Sequence, residues 1–136
     1  MMKSTLKLIP LLLAFALSDA NAQNVIIIGH ANVGKLNTSV VERVFTGKMI
    51  MVDGTRITAV NLKSGALRDN FLQRYLNQDD DKYTAYWTVR RFICKGIPPK
   101  ELSSAAEVIT FVQNTPGAIG YIDENELKPG LNVISR

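Results

Sequence analysis

An α/β fold, with a mixed and mostly parallel sheet and elements in the order βαβαααββ, is what this sequence predicts. Three observations carry it. Residues 25–28 are a β-branched run ending at Gly29, the pattern of a strand buried on both faces. The middle of the chain repeats apolar residues at helical spacing. Near the end, Gly117-Ala118-Ile119-Gly120-Tyr121-Ile122 reads as a strand that follows a helix end at Asn114 and Thr115. There Pro116 and Gly117 cannot continue the helix. A strand, a helix and a second strand in succession imply a right-handed crossover and parallel neighbours.

Residues 1–22 have the form of a cleaved export signal. Lys3 and Lys7 precede a short apolar core at 8–17, and Ala20-Asn21-Ala22 supplies a small-x-small cleavage site. The core is too short for a membrane span, and no later stretch approaches the roughly 20 apolar residues one needs. The expectation is one domain over residues 23–136, exported to the periplasm, with no membrane insertion after cleavage. The whole chain carries a net charge of +4, without a dense run of Lys or Arg, which speaks against a nucleic-acid partner. Cys94 is the only cysteine, so no internal disulfide can form, and its apolar helical setting suggests a buried, inert thiol.

After the first strand, Gly29-His30-Ala31-Asn32-Val33-Gly34-Lys35 has the spacing of a phosphate-cradling loop, but Leu36 stands where a magnesium-binding Ser or Thr is needed. The sequence favours a polar loop whose Leu36 closes over the core. Asn37 or Ser39 can cap the next helix, and Ser39-x-x-Glu42 has the form of a capping box. Val41, Val44 and Phe45 make its buried stripe, and Gly47 stops it. Asp53-Gly54 is a turn signal, and residues 56–62 alternate as a strand. Lys63-Ser64-Gly65 turns into a helix burying Leu67, Phe71, Leu72, Tyr75 and Leu76. Asp79-Asp80-Asp81 opens another, its acids suited to the helix dipole, with Tyr83, Tyr86, Trp87, Ile93 and Cys94 on its apolar face. Lys95-Gly96 ends that helix and Pro98-Pro99 enforces the break. Ser104-x-x-Glu107 caps a last helix burying Ala105, Val108, Ile109 and Val112. An acidic turn and a strand over 131–134 close the chain.

No catalytic constellation is present. His30 is the only histidine, with no partner at a meaningful spacing, and one Cys with one His cannot build a zinc site. Neither a metal nor any other cofactor is expected, and the chain reads as a non-enzyme. The better candidate site is the turn at Ser64, Gly65 and Ala66, with Arg68 one turn on. A strand ending in a glycine turn that opens a helix points free N–H groups at one spot, where the dipole favours an anion. The alternative is that Ser64 is an ordinary N-cap and Arg68 a solvated first-turn residue.

Three stretches resemble the phosphate-binding proteins of ABC transporters, a family of type II periplasmic binding proteins. Val44-Phe45-Thr46-Gly47-Lys48 is similar to that family's Ile-Phe-x-Gly-Lys segment. Residues 61–66 lie where the family carries Arg-Ser-Asp-Gly-Ser-Gly-Thr, its oxyanion-binding turn. Residues 117–122 match its Gly-Ala-Ile-Gly-Tyr-Val. The chain resembles still more closely a group of short exported members through Arg68-x-x-Phe71, Tyr86-Trp87 and Phe92-x-x-Lys95-Gly96-x-Pro98-Pro99. The resemblance spans residues 25–122. It implies a three-layer single lobe of the type II fold, binding of phosphate or a related oxyanion, and an ABC permease as partner. The departures are a length sufficient for one of the family's two lobes, and a turn that keeps Ser64 and Gly65 but lacks the Asp, the second Ser-Gly and the Thr. They leave a second expectation open, that of a degenerate lobe acting as a protein-interaction module or homodimer without ligand.

Overall fold

A computed structural model describes residues 24–136, together with Thr5 and Pro10. The expected export signal therefore lies almost wholly outside the described residues. The core of the fold is a five-stranded sheet in the order β5-β4-β6-β1-β7. Its strands are β1 (Val25–Gly29), β4 (Thr58–Leu62), β5 (Lys100–Leu102), β6 (Ala118–Asp123) and β7 (Asn132–Ser135). β4 runs parallel to both β5 and β6, whereas β1 runs antiparallel to both β6 and β7. The sheet is thus mixed and mostly parallel, with β1 alone reversed. Helices α1 (Thr38–Phe45), α2 (Ala66–Phe71), α3 (Asp80–Phe92) and α4 (Ala105–Asn114) complete an α/β domain.

The pleat of β6 assigns the helices to layers, because successive side chains point to opposite faces. Gly120 faces α4: a Cβ there would stand 2.7 Å from Val108 Cγ1 and 3.0 Å from Val60 Cγ2. The glycine lets α4 lie close on the strand, which is why it is tolerated mid-strand. Tyr121 faces the other way and stacks on Phe71 with ring centroids 4.0 Å apart and planes 7° apart. Phe45 of α1 tilts against both rings. The order is helix, sheet, helices. Val41, Val44 and Phe45 are buried as their spacing requires.

Several local expectations are corrected. The parallel crossover from β1 to the strand ending at Leu62 does not form, because β6 inserts between them and β1 runs against β4. The segment 56–62 divides at Ile57: Thr55–Arg56 (β3) pairs with Met51–Val52 (β2) in a hairpin, and only Thr58–Leu62 enters the main sheet. Asp53 and Gly54, both at positive φ, make its tight turn. β5 was not anticipated, since Lys-Glu-Leu has no strand pattern of its own; pairing with Val60–Leu62 creates it. Asn37, not Ser39, caps α1, accepting a hydrogen bond from Val40 N at 2.9 Å. Ser104 does cap α4, but Glu107 reaches back to Ser103 N rather than to the cap residue. Beyond α2 the chain widens into a π-helical turn over Leu72–Leu76, ended by Asn77 in the left-handed region.

The largest correction concerns Cys94 and Ile93. Both are exposed, because α3 stops at Phe92 and Cys94 takes a left-handed conformation at φ 57. A residue in that conformation turns the chain out of the helix, so the apolar stripe that Tyr83 and Trp87 begin does not extend to them.

Candidate functional site

β4 and β6 pair only where Thr58 and Ala59 face Ala118 and Ile119. Beyond that they part, and the next donor of β4 on this side, Leu62 N, is met by the Tyr121 hydroxyl at 3.0 Å. That hydroxyl in turn donates to Asn61 Oδ1, and Asn61 Nδ2 donates to the Tyr83 hydroxyl at 3.0 Å. Tyr83 completes the chain by donating to the Phe45 carbonyl at 2.8 Å. Every member is buried and partnered, as a polar network in a core must be. Burial pushes the hydroxyls of Tyr121 and Tyr83 above the usual tyrosine range, so both remain neutral donors. The network braces the carboxyl end of β4 from below.

Where β4 and β6 part, a crevice of about 310 Å³ opens at their carboxyl ends, lined by Lys63, Gly65, Ala66, Ser104, Asp123 and others. In open α/β sheets this is where ligands bind. The first turns of α2 and α4 border it, with Ala66 and Ala105 among the lining residues. Leading N–H groups of a helix have no partner within the helix and favour an anion. The ammonium of Lys63 makes no ion pair; among the described residues those are confined to Arg68 and Arg136. Asp123 and Glu126 bring acceptor carboxylates to the same crevice, a component absent from the sequence reading.

The expected residues are only partly brought together. Gly65, Ala66 and Arg68 line the crevice. The Ser64 hydroxyl does not cap α2; it donates to Asp80 Oδ2 at 2.7 Å. Arg68 is neither solvated nor free. Its side chain is 4% exposed, with Nε and Nη2 on Asp80 Oδ1 at 2.9 and 2.8 Å. Its Nη1 reaches Glu101 Oε1 at 2.8 Å and the Leu62 carbonyl at 3.1 Å. Burial works against the Arg68 charge, but the hydrogen bonds to Glu101 and Asp80 more than offset it, and its pKa is raised. Asp80 is held below its ordinary range, first by the Ser64 hydrogen bond and then, against the effect of burial, by Arg68. The cluster Ser64–Asp80–Arg68–Glu101 thus ties the turn after β4 to the start of α3 and to β5. Sequence spacing pointed to Asp80 only as a first-turn acid, and Glu101 sat in a strand not foreseen.

Gly29 to Lys35 forms the polar loop expected of it. Leu36 is buried, Lys35 Nζ donates to the Val133 carbonyl, and Asn32 Oδ1 accepts from Gly117 N at 2.9 Å. This loop therefore serves to hold the start of β6.

Neither a protein-family model nor a curated protein sequence matches the chain. Solved structures do. One, from Clostridium perfringens and described as a phosphate ABC transporter substrate-binding protein with bound phosphate, superposes with a TM-score of 0.62 at 19% identity. An ABC-type phosphate transport receptor from Vibrio cholerae gives 0.63 at 13% identity. PstS from Borrelia burgdorferi gives 0.60 at 18% identity. They cover 82%, 82% and 83% of this chain, which spans only 44%, 45% and 47% of theirs. The chain therefore shares the fold of less than half of each such substrate-binding protein.

Proposed function

We propose that this protein is an exported solute-binding lobe that takes phosphate or a related oxyanion in the crevice at the carboxyl ends of β4 and β6. The observation that supports this reading most is the opening of two helix first turns, those of α2 and α4, onto one crevice beside an unpaired Lys63. Convergent N–H groups and a cation suit an anion, and Asp123 can accept the hydrogen of a monoprotonated oxyanion. In this reading Gly65 and Ala66 contribute backbone N–H groups. Ser64 and Arg68 shape the turn through Asp80 rather than supplying a free cation. The structural neighbour described with bound phosphate suggests the same ligand by analogy of fold. As a transport role, the lobe would deliver its ligand to an ABC permease.

A second reading is favoured by one observation: Arg68, the cation expected to serve the turn, is already held by two carboxylates. A lobe that commits Arg68 internally and keeps only Lys63 for a ligand suits an interaction module or homodimer without ligand.

Calorimetric titration with phosphate and with sulfate at low salt tests the choice. Ala66→Pro is the informative variant, because the first position of a helix tolerates proline and loses only its N–H. Micromolar binding weakened by Ala66→Pro and by Lys63→Ala supports the oxyanion site. Silence up to millimolar phosphate, where binding is worth only about 4 kcal/mol, favours the interaction module.

A further inference from the structure

We infer that the end of α3 and the loop after it form a docking tip for an anionic lipid bilayer, touching its surface without spanning it. Of the large apolar side chains left exposed among the described residues, four fall within this one stretch: Val89, Phe92, Ile93 and Ile97. Phe92 is 88% exposed and Ile97 77%. Val89, Phe92 and Ile93 sit at i, i+3 and i+4, so they share one helical face. It is not the face that carries the buried Tyr83 and Trp87. Exposed apolar residues scattered singly need no explanation, but a gathered group marks an interaction surface.

The occupant is indicated by charge. From Lys82 to Lys100 the sequence holds five cations and no acid. Arg90 is engaged with the Lys95 carbonyl and lies over the rings of Tyr86 and Trp87. Among the described residues Arg91, Lys95 and Lys100 make no ion pair. The first acid beyond them, Glu101, is occupied by Arg68. Ile97 lines a groove with Ile50, Lys95 and Lys100, which extends the same basic and apolar surface toward the β2–β3 hairpin. Apolar side chains collared by cations are the composition that binds an anionic membrane interface, where rings and branched chains enter the headgroup boundary and cations meet lipid phosphates.

An acidic protein surface would share the charge but needs a shape to fit. The cavities beside the tip are lined by Trp87, Arg91, Lys95, Ile97, Pro98 and Pro99 rather than by Val89, Phe92 or Ile93, and Phe92 is almost wholly exposed. A bilayer receives such a wedge without a matching socket. Cys94, exposed at the centre of the tip, is the only cysteine and offers a unique labelling position. Among the described residues no helix is long and apolar enough to cross a membrane, which agrees with surface contact.

The test is co-sedimentation of the full chain with phosphatidylcholine vesicles, with and without phosphatidylglycerol. A polarity-sensitive fluorophore on Cys94 reports whether the tip itself enters the interface. All variants share one N-terminus, so any contribution of residues 1–22 cancels. The expected result is binding that requires phosphatidylglycerol and weakens with salt. It should fall at least about tenfold in Phe92→Ser/Ile97→Ser and likewise in Arg91→Gln/Lys95→Gln, with unchanged circular dichroism in both. The Cys94 probe should shift to the blue on binding. Wild type left in the supernatant with both vesicles overturns the inference and assigns the tip to an acidic protein partner. So does binding that neither pair of substitutions alters, or a probe that stays in water.

Discussion

Arg68 and Asp80 are joined through one carboxylate oxygen: Nε and Nη2 of the guanidinium both lie within 2.9 Å of Asp80 Oδ1. The pair fastens α2 to α3 across the turn that follows β4. Removing Arg68 takes its donors from Asp80 Oδ1, Glu101 and the Leu62 carbonyl, while Asp80 Oδ2 keeps the Ser64 hydroxyl. Because Asp80 and Glu101 are 26% and 52% exposed, water offsets part of the loss that a fully buried pair would suffer. Arg68→Ala should cost about 2–4 kcal/mol in urea denaturation, and Arg68→Lys less, since one ammonium keeps a single ion pair.

The same pair sets the acid limb of stability. Asp80 has a depressed pKa when folded, so its contribution is fully present above its ordinary value of 3.8 and is lost as pH falls through the lower folded value. Ser64 is the largest cause of that depression. Thermal unfolding followed between neutral pH and pH 2 should show the loss below about pH 4. Ser64→Ala should make that acid limb shallower. An unchanged slope in the variant would contradict the assignment.

At the alkaline end the sign reverses. Tyr121 and Tyr83 have pKa values raised by burial, so the protein binds their protons more tightly folded than unfolded. Their contribution is intact below the unfolded value near 10 and disappears as pH rises toward the folded values. The part of the tyrosine absorbance change that Tyr83→Phe and Tyr121→Phe remove should coincide with the loss of ellipticity above pH 10, because ionising these two hydroxyls requires unfolding.

Tyr121→Phe isolates the hydrogen-bond network from the ring packing. The stack on Phe71 survives, while Leu62 N and Asn61 Oδ1 lose their partner. An unsatisfied buried donor predicts a loss of about 1–3 kcal/mol. If phosphate binds in the crevice, the same variant should also weaken calorimetric binding, since the carboxyl end of β4 is no longer held.

Two glycines of the recognisable motif should respond differently. At Gly117, φ is +76 and a Cβ would be driven into the Arg56 carbonyl oxygen, a backbone group that cannot rotate away. At Gly120 the obstruction comes from side-chain methyls, the nearer on Val108 of α4 and the other on Val60 of β4, which can yield by a small shift of α4 and a turn of the Val60 side chain. Gly117→Ala should cost about 3 kcal/mol or more, and Gly120→Ala about 1–3 kcal/mol. Urea midpoints of the two variants check the ranking.

Short-range chemistry determined much of this protein from sequence alone. The α1 stripe of Val41, Val44 and Phe45, the stop at Gly47, the Ser104 cap and the strand after Gly117 follow from local spacing and from residues suited to one backbone conformation. The α/β class follows from them. Position in the sheet did not, because β6 reaches its place between β1 and β4 from far along the chain. Strand order is set by long-range pairing that no window of sequence contains, and the same pairing makes a strand of Lys100–Leu102. The candidate site divides in the same way. Ser64, Gly65, Ala66 and Arg68 could be named from the turn they form. Only the tertiary structure brings Asp80 and Glu101 onto Arg68, and opens the crevice to Lys63 and Asp123. Ion pairs and clefts depend on where separate elements come to rest, and that is decided by packing the whole core.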